Sequence, residues 1–510
     1  MRPVVDRPVV SGSMLKVDGS QGETVTERIA DQSRPESAGS GAACSFDDLR
    51  AHRFAGVVNR ERSARRSSDL APSILIHVGG TPQVRSPTVK ALVVFPMVLA
   101  ACSDDVPLAV DAAGPADAIV LPATGVQLPL VSLDAYSYTV AFGLGAQQFD
   151  TLVDTGSTTT AVASVQCPDC GVSPAYDPSN SGVGVGVTAS TYYEDNSGWS
   201  GVVFDDTARL PGLPAVALDF AAITSQTDFF DQNAYQGILG LGPALLIEPG
   251  TISYMDRLGA GRVPQVMAFR LCPDRGDMWI GGFDPSVAAA PVQYTPMLPV
   301  DDANPFYSIQ IADLALGGSK LGLTPASFGA VVVDTGTSIS YVPAKVESAI
   351  LSALNNHAAF KQLFPNQTLA DTDQGSCVTG TGVTSAIVDA KLPAMAVKVP
   401  AVGGGTFSID IPPSRSYLVN GGDGSFCLAF SSSGTDPATD GSTIGDTLMA
   451  GMLTVFDLEN HRVGLAPEAG CAEAARLMRP LASPYFRPRM RTGVQLGSAS
   501  ITNPLRRRQP

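Results

Sequence analysis

The chain predicts an all-β protein built as two similar lobes, and three observations carry that prediction. Short apolar runs recur between turn signals, as in Val202-Val203-Phe204, Phe306-Tyr307-Ser308-Ile309 and Met452-Leu453-Thr454-Val455. Charged residues make up only 16% of the chain, while 51 glycines and 39 prolines supply many turns. One short sentence is also written twice: Phe149-Asp150-Thr151-Leu152-Val153-Asp154-Thr155-Gly156-Ser157 recurs in kind as Ala330-Val331-Val332-Val333-Asp334-Thr335-Gly336-Thr337-Ser338. Each copy reads as a buried strand running into an Asp-Thr-Gly-Ser/Thr turn. The two aspartates lie 180 positions apart, about the size of one lobe. Helical segments are few. Residues 344–355, after Pro343, carry Val346, Ile350, Leu351 and Leu354 on one face, and residues 251–258 form a shorter candidate.

Equivalent turns of two similar lobes can bring Asp154 and Asp334 together across a cleft. Two carboxyl groups in contact do not both ionise cheaply, so the pair holds one proton between them. The ionised member can take a proton from a trapped water while the protonated member donates to a substrate carbonyl. Attack of that water on a peptide bond gives a tetrahedral diol with no covalent intermediate. Gly156 and Gly336 leave room for the turns to approach. The hydroxyls of Thr155 and Thr335 can bond backbone inside the turns. Those of Ser157 and Thr337 sit where they can bond the outer carboxylate oxygens. A single Asp-Thr-Gly would be read as an ordinary turn; two copies, each after an apolar strand and before Ser/Thr, favour chemistry.

From about residue 130 to 471 the chain resembles the pepsin-like aspartic proteases (family A1). The run from Tyr138 to Gly143, leading through Gln147-Gln148-Phe149, resembles the family's opening hairpin, and Tyr176-Asp177-Pro178-Ser179 the loop after its first disulfide. Residues 193–201 match the flap pattern Tyr-x-Asp-x-Ser-x-x-x-Gly through Tyr193, Asp195, Ser197 and Gly201. The segments 237–242 and 443–446 resemble the two apolar-apolar-Gly stretches behind the catalytic loops, and 455–467 the closing hairpin. The resemblance implies two six-stranded-barrel-like lobes around a central cleft, with few short helices. It also implies an endopeptidase with Asp154 and Asp334 as catalytic pair, a mobile flap closing over an extended polypeptide, apolar subsites, and neither cofactor nor metal. A monomer is expected.

Departures from the family pattern are informative. Many members carry Trp seven residues after the first catalytic Asp, where it bonds the flap tyrosine; here that place is Ala161. Trp199, inside the flap, either compensates over the cleft or is a hairpin-face aromatic. Gln236 stands where Asp or Asn is common. Tyr192 adjoins Tyr193, and a slip of one residue would turn the side chain to the other face; the spacing to Asp195, Ser197 and Gly201 selects Tyr193.

Eight cysteines suit an oxidising compartment. The resemblance pairs Cys167 with Cys170 and Cys377 with Cys427. Cys272 and Cys471 remain and can tie the strand 267–271 to the domain's end. Read alone, Cys167-Pro168-Asp169-Cys170 is also a possible redox or metal motif, though it has no second cysteine pair and no neighbouring histidine. Other hydrolase schemes fit poorly, because His357 and His461, the histidines of the core, lie near no Gly-x-Ser-x-Gly elbow or His-Glu-x-x-His helix.

Charge is unevenly spread. Residues 103–471 hold 37 acidic against 12 basic side chains, a balance of −25. Such a body repels nucleic acid and anionic membrane surfaces; it suits work in acid, or solubility alone. Residues 1–88 read as a disordered leader arising from a misassigned start, with translation beginning at Val89 or Val84. Residues 89–102 read as a lipoprotein-type signal, with one positive charge, a short apolar core and Leu-Ala-Ala ahead of Cys102, which would take the lipid. The alternative there is an apolar patch in a disordered leader, with Cys102 a free thiol. Residues 103–129 form an acidic linker too short for an inhibitory prosegment. Lobes follow at 130–295, with Asp154 and the flap, and 296–471, with Asp334, then a basic disordered tail at 472–510. The expected protein is exported, as a periplasmic or cell-surface lipoprotein or else secreted. A rival from another class is a catalytically idle pepsin-like binding protein.

Overall fold

The computed structural model describes residues 121–133, 136–230, 235–370, 376–422 and 424–471. The leader, Cys102, most of the linker and the basic tail lie outside them. The described region is all-β and bilobal, as expected, with few and short helices. One sheet of thirteen strands runs from Gln293–Pro296 through the closing hairpin to the flap edge at Val183–Tyr192. Three smaller sheets of five, four and three strands build the second lobe.

Strand Val126–Ser132 pairs antiparallel with Arg275–Ile280, so regular structure starts four residues inside the stretch read as linker. Its alternate residues Leu128 and Leu130 are buried, the period of a strand with one covered face. The opening hairpin follows, with Phe142 opposite Phe149. Its second strand, Gln147–Asp154, ends on the first Asp-Thr-Gly turn and pairs in parallel with Gly237–Gly240. The second lobe repeats the device: Val331–Val333 ends on the second turn and pairs in parallel with Ser442–Ile444. Both run into their turns through buried apolar residues, Leu152 and Val153 in the first and Val331 and Val333 in the second.

The closing hairpin, Met452–Asp457 with Arg462–Pro467, joins the lobes. Its first strand pairs with Val266–Cys272 of the first lobe, and its second with Gln293–Pro296, which spans the expected lobe boundary. Three disulfides are formed: Cys167–Cys170, Cys272–Cys471 and Cys377–Cys427. Beside Cys471, Arg270 donates to the carbonyl of Ala469 at 3.3 Å and Arg275 to that of Gly470 at 2.9 Å, while Arg415 pairs with Glu468. Helix Ala344–Asn356 buries Val346, Ile350 and Leu354 together with Glu347. Helix Tyr254–Ala260 starts three residues later than expected, because Ser253 caps it by accepting from the Asp256 N–H at 3.2 Å.

Candidate active site

The two Asp-Thr-Gly turns meet at the centre of the described region. Thr155 Oγ1 donates to the carbonyl of Val333 at 3.0 Å, and Thr335 Oγ1 donates to that of Val153 at 2.9 Å. Each hydroxyl also accepts the other turn's backbone N–H, Thr155 N to Thr335 Oγ1 and Thr335 N to Thr155 Oγ1, both at 3.1 Å. The threonine hydroxyls bond backbone from inside their turns, and the carbonyls they reach belong to the opposite strand.

This crossed pair delivers two carboxyl groups to one place. Asp154 and Asp334 share a side-chain hydrogen bond, and both are fully buried among protein atoms. Each is held the same way. The Gly156 N–H donates to Asp154 Oδ1 at 2.7 Å, and the Gly336 N–H to Asp334 Oδ1 at 2.8 Å. The outer oxygens accept from hydroxyls, Asp154 Oδ2 from Ser157 and Asp334 Oδ2 from Thr337 at 2.6 Å.

Behind the turns the apolar-apolar-Gly segments act as backstops. A Cβ on Gly240 would lie 2.4 Å from the carbonyl carbon of Thr158, and one on Gly445 would lie 2.4 Å from the oxygen of Thr337, so only glycine lets these strands press against the loops. Backbone bonds complete the brace: Leu241 N to the Asp154 carbonyl at 2.7 Å, and Asp334 N to the Ile444 carbonyl at 3.0 Å.

Electrostatics follow from this enclosure. Burial raises the Asp154 pKa well above the ordinary carboxylate value, and the charge of Asp334 raises it further; the Ser157 hydroxyl and Gly156 N–H pull it down. Burial is also the largest cause for Asp334, whose pKa is raised against the opposing bonds from Thr337 and Gly336. Two buried carboxyls in contact retain a proton between them.

The flap arches from the strands Val183–Tyr192 and Gly198–Arg209. Tyr193 is 3% exposed while Tyr192 is 67% exposed, which settles the register in favour of Tyr193. Burial raises the Tyr193 pKa well above the ordinary phenol value, and the Asp154 charge raises it further. Asp195 and Ser197 shape the tip: the Ser197 N–H donates to Asp195 Oδ1 at 2.9 Å, and the Tyr193 N–H to the Ser197 carbonyl at 2.9 Å. Asn196 takes a positive φ of 67° there, a conformation asparagine tolerates. Ala161 is buried in the strand Ala161–Ala163 and has no group to offer the flap. Trp199 does offer one: its Nε1 donates to the Tyr193 hydroxyl at 3.0 Å. This bond gives the flap tyrosine a partner that differs from the packing over the cleft expected of Trp199.

The profile of the eukaryotic aspartyl protease family matches residues 135–468. The chain belongs to this family. Relatives with curated descriptions include an aspartic protease of Phaffia rhodozyma, 28% identical over 63% of this chain and 74% of the relative. A β-secretase of Strongylocentrotus purpuratus is 27% identical over 65% of this chain and 66% of the relative. Pepsin A of Gallus gallus is 26% identical over 68% of this chain and 89% of the relative. Membership makes this protein an aspartic-type peptide hydrolase.

In this aspartyl protease the sulfurs of Cys167 and Cys170 are bonded to one another, so the metal or thiol-redox reading of that pair is withdrawn: a disulfide offers no thiolate. The histidines are distributed elsewhere, His357 between two helices and His461 in the closing turn with a φ of 48°. Gln236 keeps a structural place, its Oε1 accepting from the Asp150 N–H at 2.8 Å. The aromatic group beneath the flap went unread in the sequence. Tyr193 stacks on Phe229 with centroids 5.6 Å apart and planes 14° apart, and Tyr235 meets Phe229 edge-on at 5.9 Å. Three aromatics at 229, 230 and 235, in a chain only 7% aromatic, were the available signal. Among the described residues no helix is long and apolar enough to cross a membrane.

Proposed function

We propose that this protease cleaves polypeptides through a water activated by Asp154 and Asp334, with one proton shared between them. The ionised carboxylate takes a proton from the water, the protonated partner donates to the scissile carbonyl, and the diol collapses with proton return to the leaving amine. Thr155, Gly156 and Ser157, with Thr335, Gly336 and Thr337, hold the pair oriented. Tyr193 closes the site, with Trp199 fixing its hydroxyl and Asp195 and Ser197 shaping the tip. One observation carries the reading: two enclosed carboxyl groups, one per lobe, bonded to each other and held by matching donors. The idle-binder alternative drew most of its support from Ala161, and the bond from Trp199 gives the flap tyrosine another partner, which favours the catalytic reading. Cleavage of a denatured protein at acid pH, blocked by pepstatin and reduced at least a thousandfold in Asp154→Asn, is the expected result; a variant that cleaves like wild type would overturn it.

The same reading makes the protein a monomer, exported, with lobes at 130–295 and 296–471, and tethered by a lipid on Cys102. The supporting feature is the short apolar run with one lysine, Lys90, ahead of Leu-Ala-Ala-Cys. Mass spectrometry of the native protein should find a chain that begins at an acylated Cys102. Abundant peptides from residues 1–88 would remove both the tether and the start-site reading.

A further inference from the structure

Trp199 and Phe229 set the two sides of Tyr193, one by hydrogen bond and one by ring stacking. Both are tied to one residue on the neighbouring strand, Val216–Thr227. Gln226 is the backbone partner of Trp199 in the antiparallel ladder. Its side chain makes the remaining ties. Gln226 Oε1 accepts the Phe229 N–H at 2.7 Å and the Phe230 N–H at 3.3 Å, closing the tight turn after the strand, where Asp228 has a φ of 47°. Gln226 Nε2 donates to the Asp169 carbonyl at 3.1 Å, inside the Cys167–Cys170 loop. The seat is also cushioned by aromatic edges, Phe230 at 4.8 Å and Tyr235 at 5.9 Å, and by the Tyr235 hydroxyl donating to the Phe229 carbonyl.

We propose that Gln226 is a positioning residue for the flap: its carboxamide holds Phe229 as the seat of Tyr193 while its backbone holds the strand that presents Trp199. It touches neither substrate nor the paired carboxyls. An amide suits the task because it accepts from two N–H groups with one oxygen and donates to the disulfide loop with its nitrogen. Loosening the seat lowers the population of the closed flap, and apparent substrate affinity falls with that population while chemistry in the closed state is retained.

The inference rests on the proteolytic reading but is tested partly without it. The chain has two tryptophans, Trp199 and buried Trp279. Labelling with 5-fluorotryptophan therefore gives two fluorine signals, one at the flap and one an internal reference for the fold. Gln226→Met should raise KM for a peptide about fivefold with kcat within about twofold, a loss on the scale of one hydrogen bond. It should also shift the Trp199 signal and leave that of Trp279 in place. Gln226→Glu, assayed near pH 3 where its protonated carboxyl both accepts from Phe229 and donates to the Asp169 carbonyl, should restore both KM and the Trp199 signal to near wild type. If Gln226→Met displaces the Trp279 signal, and so fails to fold, Gln226→Asn, which withdraws the oxygen by one methylene, replaces it with the same expectations. An unchanged Trp199 signal and KM in the folded variant, or failure of Gln226→Glu to rescue, overturns the proposal. Wild type that cleaves nothing, with the Trp199 signal still shifting in the variant, would instead sink the proteolytic reading and leave this one standing.

Discussion

At the scale of single residues, the paired carboxyls trade stability for reactivity. The folded protein keeps the Asp154 carboxyl protonated to higher pH than the unfolded chain does, since its pKa is raised above the ordinary 3.8. A group with a raised folded-state pKa binds more protons folded than unfolded, so its contribution is favourable in acid and is lost as pH climbs from near that ordinary value through the folded one. Asp154→Asn removes this titration and keeps an amide oxygen for the Gly156 N–H. Its Tm should therefore match wild type near pH 3 and exceed it increasingly as the pH rises toward 7, by scanning calorimetry; a gap that stays constant with pH would show that the pair carries no such strain. Trp199 makes a related point. A hydroxyl as enclosed as that of Tyr193 needs a partner when it is withdrawn from water. The loss of a donor at position 161 is matched by a gain of one at 199.

At the scale of elements, the sequence was most legible where strand and turn chemistry coincide. The runs 149–153 and 330–333 end in Asp-Thr-Gly, so β-branched periodicity and turn residues agree on one place for each boundary. The helix after Pro343 was legible from its apolar spacing, yet Glu347 is buried on its inner face, which a polarity pattern does not foretell. The start of helix Tyr254–Ala260 was missed by three residues because Ser253 caps it, and 251–253 stay outside the helix. Tyr193 against Tyr192 was decided by motif spacing, and burial agrees. What was not legible was contact between distant elements. That Thr155 reaches Val333, 178 positions away, or that Gln226 folds back on Phe229 and Asp169, follows from tertiary geometry that local pattern does not contain. The aromatic seat fell in the same class: its residues are close in sequence, but their shared partner, Tyr193, is not.

At the scale of the whole molecule, the lobes are bound by three independent kinds of contact. Strand pairing runs through the closing hairpin, a disulfide with a sequence separation of 199 ties Cys272 to Cys471, and the crossed threonines join the turns. The last is the contact on which the proposed chemistry depends. Thr335→Val removes both the acceptor for the Thr155 N–H and the donor to the Val153 carbonyl. With those groups enclosed, the variant should lose about 2–4 kcal/mol, read as a lower urea midpoint, whereas Thr335→Ser, which keeps the hydroxyl, should stay within about 1 kcal/mol. Equal midpoints for the two variants would show that the crossed bonds are ornament. If they are not, the cutting edge exists only once both halves of the chain have folded and docked. On the proposed mechanism, a nascent or damaged copy, with one half still open, then carries an isolated acid that is harmless to its neighbours.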